Sequence, residues 1–540
     1  MSWFYRPGPV RVVCDLHGGI SSGSSHRRLS DSKPSFKETL TQVVKGLETF
    51  SVLSHPRELW SMLFYGLPRH GLTPASAILG AGVTWGDRIA LTDGKGSVTY
   101  RQLAGATMHL AAGLAEVYGI GAGTRVGLMA EDDRFLMISL GALGLCGAST
   151  WLLNPRMGTD DLAACLKEDR IDVVIHAPRC TSRLGGFSGI KISTDSLVEL
   201  SGTIPTSVTE HEPRNLRIQR SLSTTRYRGF VPLKARHSRF VMLTGGTTSV
   251  PHAIPIRRRW LAPIPALALA GATGVRHGSP ALICAPLFHG YGLACAMLCL
   301  VAGAPMVLSS VCDPHDMAQL NKGENPTRVD WGEAIYVAAK HYQATTIFAV
   351  PAQLHSLATY LTQEGPDHGW DEKISSIMSG SDRLSPQIAK VFHERWGSVV
   401  TNYYGTTESG TVTMISGVEQ MRNPLSVGRP VACSRVRIVD DSGSILPAGT
   451  EGRIQLFSPL ESVGSQCGYV TSDLGWIDDQ GYLYVTGRLG DKRRSGGEFL
   501  SLAQIESLLT GTDGVEWVRV STVPDERYGQ RVVAEVRAWV

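Results

Sequence analysis

The chain has 540 residues, which is too long for one hydrophobic core and predicts a large domain with at least one smaller domain. Its formal net charge is only +4 at pH 7, and acidic and basic residues are interspersed, so the sequence gives no support to nucleic-acid binding. The ten cysteines are scattered without zinc-like spacing. This favours buried free thiols and a reducing compartment, and we expect a cytoplasmic protein.

The N-terminal 45 residues are rich in Ser, Gly and Arg and lack the apolar core of a signal peptide. We interpret residues 1–45 as a loose tail, or as an over-extended start of translation. The apolar stretch 281–308 is interrupted by Pro286, His289 and Pro305. It therefore predicts a buried strand, loop and helix, and no transmembrane segment.

From about residue 79 onward, short apolar strands alternate with amphipathic helical segments, which predicts a layered α/β fold for a large domain over residues 46–489. After Gly410 the pattern changes to hairpins, such as RVRIVD with GRIQLF, and predicts a β-rich subdomain at about 411–486. Residues 490–540 are expected to form an incomplete small α+β C-terminal domain.

The segment FVMLTGGTTSVPH predicts an apolar strand that runs into a loop of threonine and glycine. Gly245 and Gly246 would let backbone N–H groups converge on a phosphate, and Thr244, Thr247 and Thr248 would add hydroxyl donors. The spacing is not that of a Walker loop. Taken alone, such a loop is more often an ordinary turn.

Further segments follow in a characteristic order: PLFHGYGL from Pro286, SGSDRLS from Ser379, NYYGTTE from Asn402, TSDLG from Thr471 and GRLGDKRRSGGE from Gly487. With the Thr/Gly segment and SVTYRQL from Ser97, they resemble the signature motifs of the adenylate-forming (AMP-binding) superfamily. That superfamily includes acyl-CoA synthetases, luciferases and peptide-synthetase adenylation domains. The resemblance extends from about Thr84 to the end of the chain.

The resemblance implies an acyl-CoA synthetase with a small-molecule carboxylic acid substrate, expected to be a fatty acid. Such an enzyme uses ATP and Mg²⁺ to form an acyl-adenylate and then transfers the acyl group to coenzyme A. Two alternatives stay open: a catalytically impaired acyl or nucleotide-binding protein of the same fold, and an acyl-AMP ligase that uses a carrier-protein thiol. Peripheral contact with a membrane also stays open.

In NYYGTTE, the resemblance implies that Tyr404 stacks on adenine beside Gly405 and that Thr407 contacts the AMP phosphate. Glu408 would be catalytic and would hold Mg²⁺ against the ATP phosphates, because a hard carboxylate oxygen suits that ion. Without the neighbouring motifs, the same residues would be interpreted as a strand end with a solvated glutamate.

In TSDLG, Asp473 would accept both ribose hydroxyls, as a carboxylate with two oxygens can. Arg488 resembles the family arginine that reaches the ribose and phosphate. The backbone of Gly380, Ser381 and Asp382 would lie along the adenine. Outside this context, Asp473 would be a turn aspartate and Arg488 a surface arginine.

His289 matches the loop at the mouth of the acyl pocket in fatty-acid-activating members. A lone histidine in an apolar stretch is usually a core residue, but the PLFHGYGL context favours a gating role in catalysis. Gly490 matches the hinge about which the small domain rotates. Gly496 and Gly497 match the wall of the thiol tunnel; a plain flexible loop explains this glycine pair equally well.

Three residues depart from the family pattern in the Thr/Gly loop: Gly245 replaces Ser, Ser249 replaces Gly and His252 replaces Lys. A largely neutral histidine attracts phosphates less than an ammonium does, and the arginines at 257–259 are a hypothetical substitute. No residue can be matched to the family's C-terminal adenylation lysine. We therefore expect adenylation to be weakened.

Overall fold

The computed structural model describes residues 30–49, 73–200, 238–243, 253–255, 263–312, 331–364, 374–459, 468–489, 492–495, 498–502, 505–506, 509, 515–525 and 529–538. The helices are Phe36–Thr49, Pro74–Trp85, Tyr100–Tyr118, Arg134–Cys146, Thr159–Glu168, Thr194–Leu200, Pro263–Thr273, Gly290–Ala302, Trp331–His341, Pro351–Glu364, Pro386–Trp396 and Gly417–Arg422, with 3₁₀ turns at Pro178–Leu184 and Ser309–Cys312.

Two largely parallel sheets form the centre of the protein. Sheet A has the spatial order Ile190–Ser193, Val173–His176, Arg125–Met129, Ser149–Leu152, Arg239–Leu243 and Ala253–Pro255, and its last strand is antiparallel. Sheet B has the order Arg429–Pro430, Gly410–Ser416, Val400–Thr406, Ser376–Ser379, Thr346–Ala349, Ala281–Ile283, Met306–Leu308, Ile89–Asp93 and Gly96–Thr99, with antiparallel strands at both edges. This arrangement confirms the predicted α/β class.

Helices cover both faces of sheet B. Successive side chains of a strand point to opposite faces, and in this sheet both faces carry apolar side chains that the helices bury. Ile283 belongs to the large core between sheets A and B, whereas its neighbour Leu282 packs with the helices on the other side. The stretch 281–308 forms a strand, a loop, the helix Gly290–Ala302 and a second strand, as predicted. Among the described residues, no helix is both long and apolar enough to span a bilayer.

Sheet C is antiparallel and contains the hairpins that the sequence predicts. Its order is Asp31–Ser32, Arg435–Val439, Gly452–Phe457, Tyr469–Ile477 and Leu483–Arg488. The predicted start of the β-rich region near residue 411 is wrong, since Gly410–Ser416 pairs with Val400–Thr406 as part of sheet B. An antiparallel strand at the edge of a parallel sheet has the same alternating residue pattern as a strand of a separate antiparallel sheet.

The loose tail predicted through residue 45 is wrong for its last 16 residues, 30–45. Asp31–Ser32 pairs with Arg435–Val439, and the Asp31 carboxylate forms ion pairs with Arg435 and Arg437. The helix Phe36–Thr49 packs beside Pro263–Thr273, with Val43 against a small apolar cluster. A short strand and a single amphipathic helix have weak sequence signals, and their long-range partners stabilise them here.

The C-terminal part contains two antiparallel ribbons, Lys492–Ser495 with Glu498–Ser501 and Val515–Asp525 with Gly529–Ala538. The division of the chain into domains at residue 489 stays a prediction. The described cysteines are free thiols, and seven of these eight are buried, including Cys295 and Cys299. Burial raises the pKa of both thiols, which agrees with inert core residues.

Candidate nucleotide-binding site

Several of the predicted site residues meet where parallel strands of sheet B end. Gly380 follows Ser376–Ser379, Tyr404 lies near the end of Val400–Thr406, and His289 follows Ala281–Ile283. Because these strands are parallel, their carboxyl ends share one edge of the sheet. Ligands of open α/β sheets bind at this edge.

Gly380 has no room for a side chain, because a Cβ placed there would lie 1.7 Å from Cε1 of Tyr403. The Tyr403 hydroxyl is hydrogen-bonded to Ser381, which has a left-handed φ of 73°. Asp382 accepts the backbone N–H of Arg383 at 2.7 Å. The strand thus ends in a tight turn, in which Gly380 is buried and Ser381 and Asp382 are exposed.

Tyr404, Asp473 and Arg488 form one hydrogen-bonded cluster between sheets B and C. The Tyr404 hydroxyl donates to Oδ2 of Asp473 at 2.7 Å, and Arg488 Nε donates to Oδ1 at 2.9 Å. Asp473 and Arg488 are direct partners on neighbouring antiparallel strands. Asp473 is 6% exposed, so the hydrogen bonds from Tyr404 and Arg488 replace much of the water that would otherwise solvate its carboxylate.

Burial and the adjacent Asp473 carboxylate raise the pKa of Tyr404, so this phenol stays protonated and donates to the carboxylate. The backbone N–H of Asp473 donates to Thr471 Oγ1 at 3.0 Å, which fixes the carboxylate from its main-chain side. The result is an oriented acceptor, with one oxygen held by a phenol and the other by a guanidinium.

Glu408 lies in the turn between Val400–Thr406 and Gly410–Ser416. The hydroxyl of Tyr469 is hydrogen-bonded to its carboxylate, and burial with this carboxylate raises the pKa of Tyr469 to about 12. Asp473 and Arg488 also act electrostatically on Tyr469. Glu408 therefore lies in the same neighbourhood as Asp473, and Thr407 precedes it, half-buried, in the turn.

The turn depends on glycine at 405, because a Cβ there would lie 1.9 Å from the carbonyl oxygen of Gly410. Ser409 is fully buried and its hydroxyl accepts the backbone N–H of Thr406 at 3.3 Å. Both features keep the strand ends close, so they fix the direction in which Glu408 projects.

His289 is the N-terminal flanking residue of the helix Gly290–Ala302. His289 is exposed, and desolvation by the surrounding protein lowers its pKa. The next residue, Gly290, lies against Met242 of sheet A, and Tyr291 donates from its hydroxyl to the Met378 carbonyl at 2.5 Å. His289 is thus placed between the ends of the two sheets.

A family model for an AMP-binding enzyme matches residues 81–460, more than half of the chain. The chain belongs to the AMP-binding enzyme family. This membership confirms the resemblance drawn from the motifs, and with it the prediction of an ATP-dependent, AMP-forming ligase.

The similar proteins span most of this enzyme's length. A feruloyl-CoA synthase of Amycolatopsis sp is 24% identical over 457 residues, 82% of this chain and 84% of that protein. A long-chain-fatty-acid–CoA ligase of Mycobacterium tuberculosis is 25% identical over 455 residues, 82% and 83% of the two chains. The structure of o-succinylbenzoate coenzyme A synthetase from Bacillus subtilis with AMP has a TM-score of 0.67, at 21% identity and coverage of 86% and 89%.

Other predicted residues of this AMP-binding enzyme lie outside the described part of the chain. They are Thr244, Gly245, Gly246, Thr247, Thr248, Ser249, His252, the arginines at 257–259, Gly490, Gly496 and Gly497. The strands that flank residues 244–252 are paired, with Leu243 opposite Ala253. The roles of all these residues stay predictions.

Tyr469 is a site residue that the motif analysis missed. It lies on the strand Tyr469–Ile477, two residues before Thr471 and four before Asp473, and the register of this strand shifts between Val470 and Leu474. Because of that shift, simple alternation along TSDLG would not have indicated it. Asn402, from the NYYGTTE motif, is also buried, and its Oδ1 has no hydrogen-bond partner among the described residues.

The donor set fits a nucleotide with a hard cation. Asp473 and Glu408 supply carboxylate oxygens, Arg488 and the hydroxyls supply donors, and Tyr404 supplies a ring. Glu408 would be one ligand of Mg²⁺, an ion that proteins bind through one or two carboxylates while substrate phosphates and water complete its shell. No group of three His, Cys, Asp or Glu in the described ranges could form a cage for a metal by itself.

Proposed function

We propose that this enzyme activates a carboxylic acid with ATP and transfers the acyl group to coenzyme A. The main support is the cluster in which Tyr404 and Arg488 orient Asp473 while Glu408 lies beside it, bonded to Tyr469. One carboxylate placed to accept the ribose hydroxyls and a second on the phosphate side suit a nucleoside triphosphate with its magnesium ion.

In the first step, a carboxylate oxygen of the acid attacks the α-phosphorus of ATP. The bond from that phosphorus to the bridging oxygen breaks, and pyrophosphate leaves. Asp473 would hold the ribose hydroxyls, Tyr404 the adenine and Arg488 the ribose and phosphate, so the reacting groups are held in line. Mg²⁺, held at Glu408, would neutralise charge that develops on the phosphate oxygens.

In the second step, the thiol sulfur of coenzyme A attacks the acyl carbon and forms the thioester bond. The acyl–phosphate bond breaks, AMP leaves with that bonding pair, and the thiol proton passes to solvent. Hydrophobic residues around His289 would cover the acid during both steps. Water is thereby kept from hydrolysing the adenylate.

A fatty acid is our preferred substrate class, since the segment PLFHGYGL matches the loop of fatty-acid-activating members. Two of the relatives carry the names of different acyl groups: one is a feruloyl-CoA synthase and the other a long-chain-fatty-acid–CoA ligase. Aromatic acids are therefore the direct competitors in any test.

The proposal is tested with purified protein, ATP, Mg²⁺ and hydroxylamine, which traps an acyl-adenylate as a hydroxamate. Each acid is assayed separately, first with hydroxylamine and then with coenzyme A in its place. The acids are octanoate, dodecanoate, hexadecanoate, ferulate and 2-succinylbenzoate. We expect turnover of an aliphatic acid and a coenzyme A thioester. Glu408→Gln should lower turnover about 100-fold, and Glu116→Gln, at an exposed helix position, should leave it unchanged.

Three other results would each replace part of the proposal. Preference for ferulate or 2-succinylbenzoate would overturn the fatty-acid assignment alone. Hydroxamate without a coenzyme A thioester would favour a carrier-protein acceptor. AMP binding without turnover of any acid would favour an impaired binding protein, the alternative that His252 suggests.

A further inference from the structure

We propose that Asp132 is a positioning residue for the acid-binding loop, which we define as residues 286–289. Its carboxylate joins the end of sheet A to the ends of two strands of sheet B. This inference rests on the proposed function, because it assigns the acid-binding step to the loop that carries His289.

The contacts of Asp132 are made by its two carboxylate oxygens separately. Oδ1 accepts the backbone N–H of Leu287 at 2.8 Å, and Oδ2 accepts the hydroxyl of Ser309 at 3.3 Å. Asp132 follows the strand Arg125–Met129 of sheet A. Leu287 and Ser309 follow two neighbouring strands of sheet B, so one side chain spans the junction between the sheets.

The backbone around Asp132 is itself held firmly. The next residue, Asp133, caps the helix Arg134–Cys146 and forms an ion pair with Lys95 at 2.6 Å. Arg134 forms a buried ion pair with Asp93. Because these neighbours are fixed to the strand Ile89–Asp93 and its turn, the Asp132 carboxylate is a rigid anchor for whatever binds it.

The loop on the other side needs that anchor. Leu287 is 1% exposed, and Asp132 provides the acceptor for its backbone N–H. A buried N–H without a partner is unfavourable, so the loop would move to find another acceptor. His289 lies two residues further on and closes a turn by donating its N–H to the Pro286 carbonyl at 3.1 Å. Any displacement of Leu287 therefore displaces His289.

The far end of the loop has independent attachments at Gly290 and Tyr291 that do not involve Asp132. Loss of Asp132 should therefore shift the loop while the nucleotide cluster around Asp473 stays intact. The expected signature is a weaker interaction with the acid and an unchanged interaction with ATP. A residue that merely stabilised the fold would not separate the two.

The test compares Asp132→Ala and Asp132→Asn with a matched control, Asp441→Ala, an exposed turn position. The amide of Asn keeps a carbonyl acceptor for Leu287 and directs its N–H₂ at the Ser309 oxygen, so it should restore the loop. For the alanine variant we expect KM for the acid to rise about tenfold or more, with KM for ATP within about threefold of wild type. The Asn variant and the control should both stay within about threefold of wild type for both substrates.

An equal rise in both KM values, an unchanged acid KM in folded Asp132→Ala, or failure of Asn to rescue would each overturn the assignment. If the alanine variant does not fold, Ser309→Ala carries the test. Loss of that one contact should raise the acid KM about fivefold, outside the threefold range allowed for the control, and a smaller change would count against the proposal. If wild type makes no adenylate, the proposed function fails first. The role of Asp132 is then measured by calorimetric binding of dodecanoate to the same variants, with the same predicted order.

Discussion

Replacing Asp473 with asparagine tests the nucleotide site most directly, because the shape of the side chain is kept and its charge is removed. Locally the change is tolerable. The amide oxygen can accept Arg488 Nε–H, and the amide nitrogen can donate to the Tyr404 hydroxyl oxygen, in place of the present contacts at 2.9 and 2.7 Å. The Arg488 side chain is 57% exposed and can be solvated, so we expect stability to change by less than about 1 kcal/mol.

The effect on nucleotide binding should be much larger. Asp473 offers two charged acceptors to the ribose hydroxyls, whereas asparagine offers one neutral acceptor. A hydrogen bond to a charged group contributes about 1.5 to 3 kcal/mol and a neutral one about 1 kcal/mol. Loss of one contact and weakening of the other amounts to about 2 to 5 kcal/mol. AMP should therefore bind about 30- to 4,000-fold more weakly.

Isothermal titration calorimetry with AMP measures this effect, and thermal unfolding of the free protein shows whether the variant is folded. Asp441→Asn is the matched control, because that carboxylate is exposed in a turn. If folded Asp473→Asn binds AMP within about threefold of wild type, then Asp473 does not contact the nucleotide and the assignment of the site is wrong.

The remaining predictions concern other parts of the site and the core. Glu408→Gln should lower the rate of pyrophosphate release about 100-fold at saturating Mg²⁺ while AMP affinity stays within about threefold; a normal rate would remove Glu408 from the metal site. Gly380→Ala should lower stability to urea by about 1 to 3 kcal/mol, because its Cβ would overlap Tyr403, whereas Gly186→Ala, with open space around it, should have little effect. Burial and the neighbouring carboxylates of Glu131 and Asp133 outweigh the bonds from Leu287 and Ser309 and raise the pKa of Asp132 from 3.8 to about 6. Because the folded state holds this proton more tightly, wild type should lose stability relative to Asp132→Asn as pH rises from about 4 to 6, by at most about 3 kcal/mol; parallel urea midpoints across that range would contradict this.

Local pattern was sufficient for the hairpins and for the alternation of helices and strands. The turn Asp478 to Gly481 joins the strands Tyr469–Ile477 and Leu483–Arg488, as alternating apolar residues around a glycine predict. The helix Thr159–Glu168 has Asp160 and Asp161 in its first turn, a common signal for a helix start, and the apolar run that follows it forms the strand Val173–His176. In each case the signal comes from residues close together in the chain.

Contacts between distant residues explain the errors. Asp31 is held by Arg435 and Arg437, about 400 residues away, so nothing near position 31 marks it as part of a sheet. The strand Gly410–Ser416 has the same alternating residue pattern as the strands of sheet C, yet it pairs with Val400–Thr406 of sheet B. Strand pairing depends on where the edges of sheets lie, and an edge is a property of the folded chain.

By itself the sequence determined the family and the α/β class and predicted the nucleotide residues, because short motifs in a set order need no knowledge of distance. Only the tertiary structure decided that Tyr404 donates to Asp473, that Tyr469 holds Glu408 and that Asp132 reaches Leu287 across two sheets. These contacts join residues between 61 and 155 positions apart in the chain. Hydrogen bonds act over about 3 Å, and the fold alone brings such residues within that range.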